Sequence, residues 1–178
     1  MRRSGTIRSR SLSATDMDGD STENSVTITL AGAQYAAYGP SRVLDTRSGL
    51  GAAAGAVPAG KSVRVRIGGN GAIPSGVTAV VVNLTVVSPS GNGFVAAYAD
   101  GDSVPATSNV DYVKGQTVPN LAIVPVGGDG YIDLYNAGER GASVGLVADV
   151  SGYFTQAKAP ATSRSGRTGS LIRATAPE

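Results

Sequence analysis

The run Val77-Thr78-Ala79-Val80-Val81-Val82-Asn83-Leu84-Thr85-Val86-Val87 decides the fold class. Val80, Val82, Leu84 and Val86 mark one face of an extended chain, and Val81, Asn83, Thr85 and Val87 mark the other. β-Branched residues at period two specify a strand. Apolar residues on both faces place that strand inside a sheet, not at its rim. Val82 and Leu84 are therefore expected in the core.

Further strands follow on both sides of this run. Lys61–Ile67 alternates, with Val63, Val65 and Ile67 facing one way and Ser62, Arg64 and Arg66 the other. Arg42–Arg47 is a short extended run ended by Ser48-Gly49. After the Gly91-Asn92-Gly93 turn come Phe94–Ala99, Ser108–Val113, Pro119–Val126, Tyr131–Tyr135 and Ser143–Phe154. The Gly127-Gly128-Asp129-Gly130 turn predicts a hairpin over Ile123–Tyr135. Seven or eight short strands with no helical periodicity predict an all-β fold. We expect a single antiparallel β-sandwich, immunoglobulin-like or jelly-roll, with extended N- and C-terminal arms.

Composition agrees with this class. The chain has 178 residues, 41% of them hydrophobic but only 5% aromatic, so the core must be built of small aliphatic side chains. Its 25 glycines and 9 prolines suit a fold of many tight turns. There is no His and no Cys. A Ser-His-Asp triad, a thiol nucleophile and His/Cys ligand sets for zinc or haem are thereby excluded. Carboxylate pairs remain formally open, but the 13 acids form no recognisable motif. The reading is a non-catalytic chain without a cofactor.

Charge divides the chain into three. Arg2, Arg3, Arg8 and Arg10 stand near the N-terminus without an acid among them, and Asp16, Asp18, Asp20 and Glu23 follow. Residues 39–155 hold seven basic and eight acidic residues and are nearly neutral. The end of the chain is basic again through Lys158, Arg164, Arg167 and Arg173. A nucleic-acid binder would carry its basic stripe on the folded body, so no nucleic-acid partner is expected. We divide the chain into an N-terminal arm or docking segment (1–38), a β-sandwich domain (39–155) and a C-terminal tail (156–178). In the arm, Val26-Thr27-Ile28-Thr29-Leu30 alternates as one strand. Arg2, Arg3, Arg8 and Arg10, with Val26, Ile28 and Leu30, are the candidate scaffold-docking residues. Ser4–Ala14 has no apolar core of a signal peptide, and no run approaches a membrane span.

The body resembles a β-rich domain common in large surface and secreted proteins of actinobacteria. The resemblance rests on Arg42-Val43-Leu44-Asp45-Thr46-Arg47 and Val80-Val81-Val82-Asn83-Leu84-Thr85-Val86. It continues through Ser108-Asn109-Val110, Gly115-Gln116-Thr117-Val118-Pro119-Asn120-Leu121 and Val124-Pro125-Val126-Gly127. Asp133-Leu134-Tyr135-Asn136 and Asp149-Val150-Ser151-Gly152-Tyr153-Phe154 complete it. It implies an extracellular accessory role and carries no catalytic residues with it. One copy, without a signal peptide or attached enzyme and with two unrelated ends, looks like a component taken up by a phage of actinobacteria. The expected function is a structural or decorating subunit displayed on a virion. The expected partners are other structural proteins of the assembly and further copies of the chain. The alternative is a secreted carbohydrate- or cell-wall-binding module.

Several motifs have plainer readings. Asp16-Met17-Asp18-Gly19-Asp20-Ser21 begins like a calcium loop, but Ser21 and Thr27 stand where glycine and a bidentate glutamate belong, so it reads as a solvated acidic patch. Asp100-Gly101-Asp102 and Gly128-Asp129-Gly130 read as turns. Asp45 and Arg47 share a strand face and could clamp a polar ligand; the plainer expectation is that they pair with charges on neighbouring strands or satisfy backbone groups. Asn109, Asn120 and Asn136 are expected to fix loops. The sequon Asn83-Leu84-Thr85 lies in a central strand and is discounted. Tyr131, Asp133 and Tyr135 alternate onto one face opposite Ile132 and Leu134. They are the candidate ligand-binding residues: the rings could stack on sugars while the carboxylate accepts hydroxyl hydrogen bonds. Covering the core edge or a subunit interface is the plainer role for the tyrosines.

Overall fold

The structure, a computed structural model, describes residues 32–156 in full and the backbone of Leu12–Thr15 and Ser21–Asn24. These two short strands, β1 and β2, pair antiparallel from Leu12 opposite Asn24 to Thr15 opposite Ser21. The acidic segment 16–20, the arginines Arg2, Arg3, Arg8 and Arg10, and Val26, Ile28 and Leu30 lie outside the described residues.

The body contains β3 (Ala33–Asp45), β4 (Val57–Pro58), β5 (Ser62–Arg66), β6 (Val77–Val87), β7 (Gly93–Ala99), β8 (Val110–Tyr112), β9 (Val118–Pro125), β10 (Tyr131–Gly138) and β11 (Ser143–Gln156). One sheet runs β3-β11-β6-β9, with β4 also paired to β11; the other runs β5-β10-β7-β8. Every pairing is antiparallel. Leaving β4 aside, the eight remaining strands, counted in chain order, form sheets 1-8-3-6 and 2-7-4-5. The chain changes sheet at each step except β7 to β8. This is the jelly-roll of two interlocked Greek keys, and it settles the choice left open between that fold and the immunoglobulin-like one.

The two inner faces close on an aliphatic core. In β6, Val80, Val82, Leu84 and Val86 are buried, whereas Val81, Asn83, Thr85 and Val87 are only half-buried. From the opposite sheet come Val65, Val95, Ile132 and Leu134. β6 lies between β11 and β9, an interior strand as its composition requires.

A buried amide enters this core. Asn136 is fully buried, accepts the hydroxyl of Tyr112 and donates from Nδ2 to the carbonyl of Val57 at 2.9 Å. Both bonds meet the demand of a buried amide. They also require two glycines: a Cβ on Gly93 or Gly138 would stand 2.6 Å from the Tyr112 hydroxyl oxygen. Asn136 therefore ties the core to the β4 segment instead of fixing a surface loop. Asn109 and Asn120 do fix local backbone, accepting from Ala97 N–H and donating to the Asn109 carbonyl, respectively.

Two expectations are corrected. The hairpin over Ile123–Tyr135 does not form: β9 pairs with β6, and β10 with β5 and β7, in the other sheet. The glycine turn is real, with Gly130 N–H bonded to the Gly127 carbonyl, but it carries the chain across the sandwich. The boundary between residues 38 and 39 falls inside β3. Ala33–Ala37 pair with Gln156–Gly152, and Tyr35 and Tyr38 lie against Phe154 and Tyr153 with ring centroids 5.4 and 6.1 Å apart. Runs of alanine and glycine concealed a strand that this cross-strand partner completes.

Candidate functional site

The outer face of the β5-β10-β7-β8 sheet collects the aromatic and charged residues that the strand alternation turns away from the core. Register places Arg66 beside Tyr131, Asp133 between Arg64 and Tyr98, and Ser62 beside Tyr135. Tyr131, Asp133 and Tyr135 thus share one half-buried face, and β5 and β7 flank them.

Arg64 organises one end of this face. Its Nε donates to Asp100 Oδ2 at 2.8 Å, and its terminal nitrogen reaches Asp129 as well. The guanidinium carbon lies 3.6 Å from the centroid of the Tyr131 ring, a cation–π contact. Asp129 also accepts the Tyr131 N–H at 3.1 Å, so the turn and the charge cluster are built together. At the neighbouring row, the hydroxyls of Ser62 and Tyr98 are 3.2 Å apart.

Asp100 and Asp133 are shifted in opposite directions. The hydrogen bond from Arg64 holds the Asp100 carboxyl below its ordinary range. Asp133 is pushed up, first by burial and then by the neighbouring Asp100. Arg64 itself is held more firmly protonated, chiefly by Asp100. The face therefore offers aromatic surface, hydroxyls and a carboxylate of raised proton affinity.

Tyr131, Asp133 and Tyr135 do not line the depression of about 350 Å³ formed by Thr46, Arg47, Ala56, Val87 and Ser88. A strip of rings and polar groups running across neighbouring strands suits an extended ligand. Arg64 covers one face of Tyr131, so stacking on that ring is confined to what the guanidinium leaves open, whereas no cation covers Tyr135 among the described contacts.

A second charge cluster lies on the outer face of the other sheet. Asp45 is buried and accepts Arg47 Nε at 2.8 Å, the Arg47 N–H at 3.1 Å and Arg42 at 3.3 Å. Arg42 also forms a two-point pair with Asp149 at 2.9 and 3.2 Å. Arg47 pulls the Asp45 carboxyl far below its ordinary range. The Asp45 carbonyl meanwhile receives the N–H groups of Ser48, Gly49 and Leu50. Arg42–Arg47 is thus a self-satisfied structural lock joining β3, its following turn and β11; Asp45 satisfies the Arg47 N–H as expected, but its charged partners are Arg42 and Arg47 of its own segment and not charges on a neighbouring strand, and Arg47 lies in the turn after β3.

Sequence reasoning brought together Tyr131, Asp133 and Tyr135 and missed Arg64, Asp100, Asp129, Tyr98 and Ser62. The solvent-facing alternation of Ser62, Arg64 and Arg66 was visible; which strand they lie beside was not. Among the described residues, no cluster of three or more His, Cys, Asp or Glu could hold a metal ion. No helix there is long and apolar enough to cross a membrane. Comparison of the chain with protein-family models and with curated proteins found no match.

Proposed function

We propose that this chain is a non-catalytic binding module, carried on a larger external assembly, that contacts surface glycan through the outer face around Tyr131, Asp133 and Tyr135. The observation that carries the reading is that face itself. Rings at alternate positions offer stacking surfaces, and the intervening carboxylate with Tyr98 and Ser62 offers hydrogen-bond partners for hydroxyls. A strip of partners spread over three strands fits a polymer better than a small metabolite.

A separate observation favours the assembly part. Ala33 stands opposite Gln156 in the β3–β11 ladder, so both ends of the body leave it side by side. Two attachment points at one pole suit a module anchored to a larger assembly. With the resemblance to actinobacterial surface domains, this supports a decorating subunit of a phage particle, placed on the virion surface or otherwise outside the cell. The same face would serve a secreted cell-wall-binding protein.

The test has two arms. The full chain should be pulled down by purified actinobacterial cell walls, and Tyr135→Ala should weaken that binding at least tenfold without changing the circular dichroism spectrum. Deleting residues 1–31 should abolish co-purification with particles but leave wall binding intact. Undiminished wall binding by Tyr135→Ala and Tyr131→Ala together defeats the glycan face. Particle entry without residues 1–31 defeats the docking role of the arm.

A further inference from the structure

We propose that β9 is a self-pairing edge through which two copies of the chain form a two-fold dimer, each continuing the other's sheet. Besides the two-residue β4, Val57–Pro58, which is too short to offer a ladder and ends in proline, the two sheets have four edge strands: β3 and β9 in one, β5 and β8 in the other. β3 carries Arg42 and Asp45, β5 carries Arg64 and Arg66, and β8 carries Asp111. Such charges protect edges against pairing with another chain. β9, Val118-Pro119-Asn120-Leu121-Ala122-Ile123-Val124-Pro125, has none.

The hydrogen-bond phase of β9 decides what its edge offers. Val126 N–H bonds to the Thr78 carbonyl, and the β6–β9 register continues that phase through Val124, Ala122, Asn120 and Val118. The alternate residues Pro119, Leu121, Ile123 and Pro125 therefore turn their backbone groups away from β6. Two of these four have no N–H. Leu121 and Ile123 keep theirs, and among the described residues no loop backbone bonds to either. The two residues are 61% and 63% exposed, the highest values among the large exposed hydrophobics described.

The arrangement is symmetric about Ala122. An antiparallel second copy centred there sets Leu121 opposite Ile123 and Ile123 opposite Leu121. Each such pair exchanges two N–H to carbonyl bonds. Pro119 then falls opposite Pro125 at both ends, so the ladder stops where neither strand has a donor. Leu121 and Ile123 of both copies form one apolar strip on the outer face beside Val81. An isologous contact of this kind consumes the edge and closes as a pair. A short ladder gives a weak, concentration-dependent dimer rather than a permanent one.

The experiment uses the full chain. Sedimentation from micromolar into millimolar concentration should show a monomer–dimer equilibrium. Amide exchange should show protection of Leu121 and Ile123 that rises with concentration, while Ala122 and Val124, bonded to β6, stay protected throughout. Leu121→Pro removes one outward donor without touching the β6 ladder and should weaken the dimer at least tenfold. Ile123→Lys, which keeps the backbone and adds charge, should do the same and guards against misfolding of the proline variant. Pro119→Ala with Pro125→Ala restores donors at the ladder ends and should tighten association. A chain that remains monomeric throughout, or a dimer indifferent to Ile123→Lys and without concentration-dependent protection at Leu121 and Ile123, overturns the proposal.

Discussion

The guanidinium of Arg64 stands 3.6 Å from the centre of the Tyr131 ring, held there by the carboxylates of Asp100 and Asp129. One cation thus organises the turn before β10 and the end of β7 as well as the face of an aromatic ring. Arg64→Met keeps the aliphatic stem but removes the charge. The Asp100 and Asp133 carboxyls should then both titrate at higher pH, Asp100 more, because Arg64 is its largest favourable partner. Carboxyl-selective NMR titration of the two proteins measures this, and an unmoved Asp100 would contradict the geometry.

The pH dependence of stability should carry two opposite contributions. Asp45 and Asp100 bind protons less readily when folded, so their stabilisation is present above the unfolded value near 3.8 and is lost as pH falls through the lower folded values. Asp133 binds its proton more readily when folded. Its contribution is present below the unfolded value and is lost as pH rises through the folded one. Asp133→Asn should therefore gain on the parent protein as pH rises from about 3 to 7, and Asp100→Asn should lose. Urea denaturation across that range separates them; parallel curves for the two variants would refute the assignment.

Leu84 is 2% exposed in an interior strand. Leu84→Ala should cost about 2–5 kcal/mol, the range for truncating a fully packed leucine. Equilibrium denaturation measures the loss, and a change within about 0.5 kcal/mol would be that of a surface site.

Gly138 and Tyr112 should be coupled. Gly138→Ala places a methyl group against the Tyr112 hydroxyl and should be destabilising. Tyr112→Phe alone leaves Asn136 Oδ1 without its buried donor, a loss of about 1–3 kcal/mol. In the double variant the methyl meets no hydroxyl, so the Gly138→Ala cost should shrink. A double-mutant cycle giving additive losses would mean that the clash is relieved elsewhere.

Residues 32–156 should fold alone with a cooperative melt. Trimming to 39–156 should retain the β-type circular dichroism spectrum but lose stability, because Gly152–Gln156 lose the β3 partner and the Tyr35–Phe154 and Tyr38–Tyr153 ring pairs disappear. Two such pairs together are worth about 1–3 kcal/mol beyond their buried area. Equal stability of the two fragments would return the boundary to residue 39.

Strand content was legible because alternation is local. Val77–Val87, Lys61–Ile67 and Tyr131–Tyr135 each declare inner and outer faces by their own side chains, and an aliphatic core follows from a chain poor in aromatics. That Tyr131, Asp133 and Tyr135 share a face is a consequence of period two alone. Pairing is not local. Nothing in Gly127–Gly130 distinguishes a turn closing a hairpin from one crossing between sheets; the partners of β9 and β10 lie far along the chain and make that choice. Ala33–Tyr38 has too little apolar pattern to declare a strand until β11 lies beside it. Arg64 meets Asp100 and Asp129 only through the register of three strands, since its partners are 36 and 65 residues away. The sequence by itself determined which residues face in or out, through the geometry of the extended backbone. Only the tertiary structure decided which faces lie side by side, because that depends on long-range hydrogen-bond register and on how the two sheets bury a common core.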